Sequence, residues 1–270
     1  MTAPVAEVDW AGALVQWDNT SVTACPASAA QVILICEHAS NQMTSAWAES
    51  DPVVLDSHAA SDPGALGVAI ALGAQFARAG FACELVHAPF SRLIYDLNRS
   101  PDRPDACPAQ SEIYHVAMNQ GLGPAERLER MEKLYLPFHN HVRARIARAL
   151  ALGQRPFVLT VHSFSPIWHG VPRDVEFGVI HDALPDLARA ILAEADSIGL
   201  VTRLNAPYSA EDHVTHSLRL HALPYGLENA MLELRNDLIA TEMAQAAMAA
   251  RLAPVLCRAM SRVREGVCLA

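Results

Sequence analysis

The sequence predicts an α/β fold, a single domain in which a mostly parallel central sheet is flanked by helices. Three observations carry that expectation. Short β-branched runs alternate with longer helical stretches along the 270 residues. Hydrophobic residues make up 51% of the chain and charged ones 18%, enough for a sizeable core and incompatible with a disordered chain. The apolar runs are strand-sized, far below the ~20 residues that span a bilayer, so no membrane span is expected.

The elements follow in order. The first thirty residues read as an irregular lead-in without the basic start and apolar core of a secretory signal. Gln31–Cys36 (QVILIC) is too short for a helix and suits a buried strand of a parallel sheet. An alanine-rich helix follows Asp62-Pro63-Gly64 and runs to about Arg78, with Asp62 as its N-cap and Pro63 at its first position. Phe81–His87 reads as a second strand and Arg92–Leu97 as a short extended piece. Residues 101–122, rich in Pro, Asp, Gln and Gly, read as a long loop, and Pro124–Leu152 as a helix stopped by Gly153. Phe157–Val161, Glu176–His181, Leu200–Leu204 and Ala230–Leu234 complete the strands, with helices over Leu184–Ile198 and Thr241–Arg264. No repeat or linker divides residues 1–270.

Composition narrows the function. A net charge of −9 argues against nucleic-acid binding, which needs a basic footprint. The positive charge is almost all arginine, and a few guanidinium groups suffice for a pocket that takes a small anion. Six scattered cysteines without a CxxC pair suggest reduced thiols and a cytoplasmic protein.

In α/β sheets, ligands sit beyond the carboxyl ends of the strands. Three of the expected strands end in polar residues: Glu37-His38, His162-Ser163, and Glu233 with Arg235. One such histidine would simply cap a sheet. Two of them, with a strand-end glutamate, point to a metal site, and imidazole and carboxylate ligands without thiolates suit catalytic zinc or another divalent ion. Ser91–Arg99 is the second constellation, its Arg92, Asn98 and Arg99 being donors suited to a carboxylate. A structural ion pair of Arg99 with Asp96 or Asp102 is the plainer reading of part of it.

Other candidates are weaker. Cys36, inside an apolar run, is expected to be a buried, inert thiol. Ser163 lacks a Gly-x-Ser-x-Gly elbow and reads as a hydroxyl that either braces a site residue from behind or bonds to backbone. His139 and His141 point to different helix faces; exposure is expected of them, packing of one near the site being the alternative. Asp212, His213 and His216 fall in a polar stretch, 205–221, that reads equally as a substrate lid or an ordinary surface loop. Gly64 and Gly67 belong to no phosphate-binding pattern.

His38, Asp62-Pro63-Gly64-Ala65, Ser91–Arg99, Val161-His162-Ser163 and Glu233–Leu238 occur here in the order found in the N-formylglutamate amidohydrolase family, which the chain resembles from about residue 31 to 240. The resemblance implies a fold like that of zinc carboxypeptidases and aspartoacylases. It implies His38 and His162 as metal ligands and Glu233 as general acid/base. Arg92 would polarise the scissile carbonyl, and Asn98-Arg99 would bind a substrate carboxylate. Position 41 is Asn where the related pattern has a ligating Glu, so the third ligand comes from elsewhere: Asp62 first, with Glu37 and His58 as alternatives. Arg235 is expected to serve a second carboxylate or to orient Glu233. The implied activity is hydrolysis of N-formyl-L-glutamate, a small anionic acyl-amino acid. A deacylase or carboxypeptidase on another substrate, and a silent binding protein on the same scaffold, are the alternatives.

Overall fold

The computed structural model describes residues 14–17, 31–48 and 51–266. The expected irregular lead-in therefore lies outside the described residues, apart from one strand. Cys25 and Cys268 lie outside them as well.

The central sheet has seven strands: β1 (Leu14–Trp17), β2 (Gln31–Cys36), β3 (Ala82–His87), β4 (Phe157–Phe164), β5 (Phe177–Ile180), β6 (Thr202–Leu204) and β7 (Asn229–Arg235). Their spatial order is β1-β3-β2-β4-β7-β5-β6. Pairing is parallel from β3 through β2 and β4 to β7 and again between β5 and β6, and antiparallel at β1/β3 and β7/β5.

Alternation along the strands builds two cores, because successive side chains leave opposite faces. Val32, Leu34, Leu159, Val161 and Leu232 pack with helices α1 (Ala65–Arg78), α3 (Asp186–Glu194) and α5 (Glu242–Arg264). Ile33, Ile35, Val158 and Met231 pack on the other face, against α2 (Leu136–Ala151) and the short α4 (His216–His221). Central strands covered on both faces can be apolar throughout, which is why all of β4 is buried. The helical stretch before Gly153 is real but not uniform: Pro124–Arg130 passes through a π-turn, Met131–Tyr135, into α2. No helix among the described residues is long and apolar enough to cross a membrane.

Three local expectations are corrected. Arg92–Leu97 is a chain of turns, not a strand: Ile94 N bonds back to Ser91 O, and Asp96 N reaches Ala106 O. Its buried Leu93, Ile94, Tyr95 and Leu97 mimic a strand in composition, since turns sunk into a core need apolar residues too. The stretch 101–122 holds a two-stranded hairpin, Gln110–Ser111 with Tyr114–His115. The polar stretch 205–221 contains α4 as its last part.

Candidate active site

Strand register assembles the site. β4 continues past Val161 to Phe164 because β7 pairs with it that far, so His162 lies inside the strand, directly beside Glu233. Both share the face that carries Val158 and Met231. β2 runs parallel on the other side of β4 and brings Glu37-His38 to the same carboxyl edge. Asp62 is tied there by its backbone, which donates to His38 O at 2.9 Å.

His38, Asp62 and His162 form a buried group whose potential ligand atoms lie within 4.8 Å of one another. Asp62 Oδ2 is 2.8 Å from His162 Nδ1 and 3.2 Å from His38 Nδ1. The outer ring nitrogens face carboxylates: His38 Nε2 is 2.8 Å from Asp96 Oδ1, and His162 Nε2 is 3.1 Å from Glu37 Oε2. The Glu37 contact is an ion pair not aligned as a hydrogen bond. A carboxylate behind each imidazole fixes the tautomer whose inner nitrogen carries a lone pair. Two such lone pairs and an Asp62 oxygen then converge, and only a proton or a cation can hold three acceptors together. The donor set therefore fits a divalent metal, and zinc accepts it readily.

The electrostatics show how a proton fills that place where no cation does. Burial disfavours the charged form of His162, yet the Glu37 carboxylate and Asp62 outweigh it and hold the imidazole well above its ordinary pKa. Burial likewise opposes ionisation of Asp62, but His38 and His162 pull its carboxyl below the usual range. Asp96 is held low against its burial, chiefly by Arg92 and His38. Glu233 goes the other way. Burial, aided by nearby Asp62 against His162 and His38, raises it to about 7. Its Oε2 has no hydrogen-bond partner. Gly178, opposite Glu233 on β5, admits the Ala206 backbone so closely that a Cβ there would lie 2.1 Å from its carbonyl oxygen.

Asp62 therefore does not cap α1. Gly64 stands at that cap with φ 82°, and Ala65 N bonds to the Asp62 backbone carbonyl at 3.2 Å. The Asp62 carboxylate is spent on the histidines and on Arg92 Nη1, 3.2 Å from Oδ1. Arg92 also grips Asp96 Oδ2 through Nε and Nη2, at 3.1 and 2.5 Å.

A cavity of about 460 Å³ opens over this group and Glu233, with Arg92, Asn98 and Arg99 on its lining. That volume lies in the range of roughly 300–1,000 Å³ common for small-molecule sites. Arg99 is paired with Asp105 at 3.0 Å, not with Asp96 or Asp102. Asn98 is committed to the fold: Nδ2 donates to Val214 O and Oδ1 accepts from Ser217 N. Arg235 lies outside the cavity lining, turned to Asp237 and Glu176, because it falls where β7 emerges from the sheet. Of the alternative third ligands, Glu37 stands behind His162, and His58 pairs with Glu112 at 2.8 Å, away from the metal group. Ser163 Oγ donates to Pro63 O, the backbone bond of its two expected roles, and Cys36 is a buried free thiol raised by burial. His139 is buried, not exposed: Nδ1 lies 2.8 Å from His221 Nε2 and Nε2 is 3.0 Å from Leu97 O.

Sequence reasoning missed Asp96 as the partner of His38, although it sits four residues from Arg92 in a run already singled out. It missed Arg173, Trp168 and Tyr208 altogether, which line the far wall. Nothing in their local sequence marks them.

The chain is similar to gene product Atu2144 from Agrobacterium tumefaciens, with 45% identity over 93% of this chain and 96% of that one, at a TM-score of 0.84. N-formylglutamate amidohydrolase from Ralstonia eutropha JMP134 is 20% identical over 89% and 96% of the two chains, TM-score 0.57, a likeness of fold. No curated protein matches. The model of one family, N-formylglutamate amidohydrolase, matches residues 30–240, a span that holds the histidine–aspartate group, Glu233 and all the cavity arginines. With most of its length and its whole cavity inside that match, the chain belongs to the N-formylglutamate amidohydrolase family.

Proposed function

We propose that this protein is a metal-dependent amidohydrolase, zinc being the best-fitting ion, that cleaves the amide of an N-acyl amino acid, N-formyl-L-glutamate above all. The observation that carries the reading is a buried carboxyl, Glu233, whose Oε2 has no hydrogen-bond partner among the described residues, sharing one cavity with three converging metal-type ligands.

His38, Asp62 and His162 would hold the ion, whose contribution when bound is Lewis acidity toward water and carbonyl oxygen. Glu233, with a pKa near 7, takes a proton from the attacking water and returns it to the departing amine nitrogen. The carbon–nitrogen bond breaks as that proton arrives, and the water oxygen leaves in formate. Arg92, fixed between Asp62 and Asp96, turns its remaining N–H groups to the oxygen that gains negative charge. Arg99 offers charge to a substrate carboxylate at the cavity lining. Asn98 serves by holding residues 214–217 in place.

The test is Glu233→Gln assayed beside its metal content. Metal stays bound while turnover of N-formyl-L-glutamate falls about 10³-fold, the scale of a lost general acid/base. A fully active variant, or equal activity in chelator-stripped wild type, would refute the assignment.

A further inference from the structure

Three arginines line the cavity, and their charges are not equally spent. Arg92 faces two buried aspartates, and Arg99 faces Asp105 while giving Nη1 to the carbonyls of Asn98 and His213. Arg173 has no carboxylate within ion-pairing distance among the described residues. Among the described residues its side-chain hydrogen bonds both run from Nη1, to the Tyr208 hydroxyl at 3.1 Å and to Ser165 O at 3.4 Å. Nε and both hydrogens of Nη2 are left to donate.

Three rings hold this guanidinium. Its central carbon lies 4.9 Å from the Tyr208 ring centre, 5.0 Å from Trp168 and 5.5 Å from Phe164. Rings this close restrain a guanidinium by cation–π attraction without consuming its N–H donors, which stay available to a planar acceptor such as a carboxylate. The mount is braced as well. Arg173 closes the hairpin of Ile167–Trp168 and Val171–Pro172, its N bonded to Pro166 O at 2.8 Å. Across the hairpin tip, His169 N donates to Glu112 Oε1 at 2.8 Å, and Glu112 Oε2 holds His58. A preorganised cation lining a cavity, with no carboxylate partner among the described residues, is suited to receive an anion.

We propose that Arg173 is the specificity-determining residue of this cavity: beside the Tyr208 hydroxyl, it receives a carboxylate of the substrate's amino-acid half and selects acidic acyl-amino acids over uncharged ones. The proposal rests on the amidohydrolase reading above and assigns to Arg173 the second carboxylate contact that Arg235 does not supply.

Kinetics of metal-loaded wild type and Arg173→Met test it with N-formyl-L-glutamate and its two mono-amides, N-formyl-L-glutamine and N-formyl-L-isoglutamine. The variant raises KM for N-formyl-L-glutamate about 50-fold, as for a lost charge-assisted bond, with a much smaller change in kcat. One mono-amide, lacking the charge that Arg173 reads, changes by less than about threefold. The spared analogue tells which carboxylate is bound. Equal losses on all three substrates would make Arg173 a structural residue and overturn the proposal. Calorimetric titration with glutarate separates this from the underlying reading, since it needs no turnover. Wild type that hydrolyses none of the amides yet binds glutarate through Arg173 would refute the amidohydrolase reading and keep the receptor. Glutarate bound equally well by both proteins would sink the receptor.

Discussion

The two sides of the cavity are built differently. The histidine–aspartate group and Glu233 stand on or next to β2, β4 and β7, in the middle of the sheet, buried and backed by further carboxylates. The opposite wall is made of a hairpin, Ile167–Pro172, and the loop carrying Pro207, Tyr208 and Val214, whose side chains are half-buried. Groups that must keep converging charges within fractions of an ångström sit on the rigid scaffold, and the groups proposed to choose among substrates sit on segments mounted upon it. The halves meet at the run 91–99, where Asp96 braces His38 while Asn98 holds the far wall two residues later.

That division can be broken from either side. The largest effect is expected at the metal side. Asp96→Asn removes the carboxylate behind His38 and weakens metal affinity roughly 10- to 100-fold, read by competition with a chromophoric chelator. Unchanged affinity would mean that Asp96 merely pairs with Arg92. Asn98→Ala acts on the wall instead. It leaves Val214 O and Ser217 N without their partner and costs about 1–3 kcal/mol in urea unfolding. Metal affinity stays at the wild-type value, and a loss there comparable to that of Asp96→Asn would erase the distinction between the two sides.

The smallest effect is a pH dependence beneath the wall. Burial, together with neighbouring imidazoles, holds His139 well below its ordinary pKa and lowers His221 to about 4. Both are neutral when folded and protonate more readily when unfolded. Their contribution is therefore complete above pH 6.5 and declines as pH falls from there toward 4, by about 1 kcal/mol per unit for each. Glu233, raised to about 7, titrates with the opposite sign over the same range, so the slope is read as the difference between wild type and His221→Gln in denaturant midpoints measured with chelator present. Identical pH slopes in the two proteins would exclude a buried neutral pair.

Much of the architecture was legible because periodicity is local. QVILIC appears as β2 with its expected bounds, and Ala230–Leu234 grows by one residue at each end. Thr241, expected as the first helical residue, is instead the N-cap of α5, accepting from Ala244 N. Within the site, His38, His162 and Glu233 were legible because polar residues that end apolar strands must lie on one edge of a parallel sheet. Asp62 illustrates the limit. The sequence offers it both a helix to cap and histidines to bind, and only the fold, by pinning its backbone to His38, decides for the histidines. His139 was misjudged because helix spacing shows which residues share a face but not that α4 will cover it.

From sequence alone came the alternation of strands and helices, the almost all-arginine positive charge and the chemistry at three strand ends. All of these depend on neighbours within a few residues. Tertiary structure decided which carboxylate stands behind which imidazole, that Arg235 turns away, and that Arg173 lines the cavity with no carboxylate partner among the described residues. These are matters of long-range approach, between side chains that can stand more than a hundred residues apart in the chain, and no local pattern encodes them.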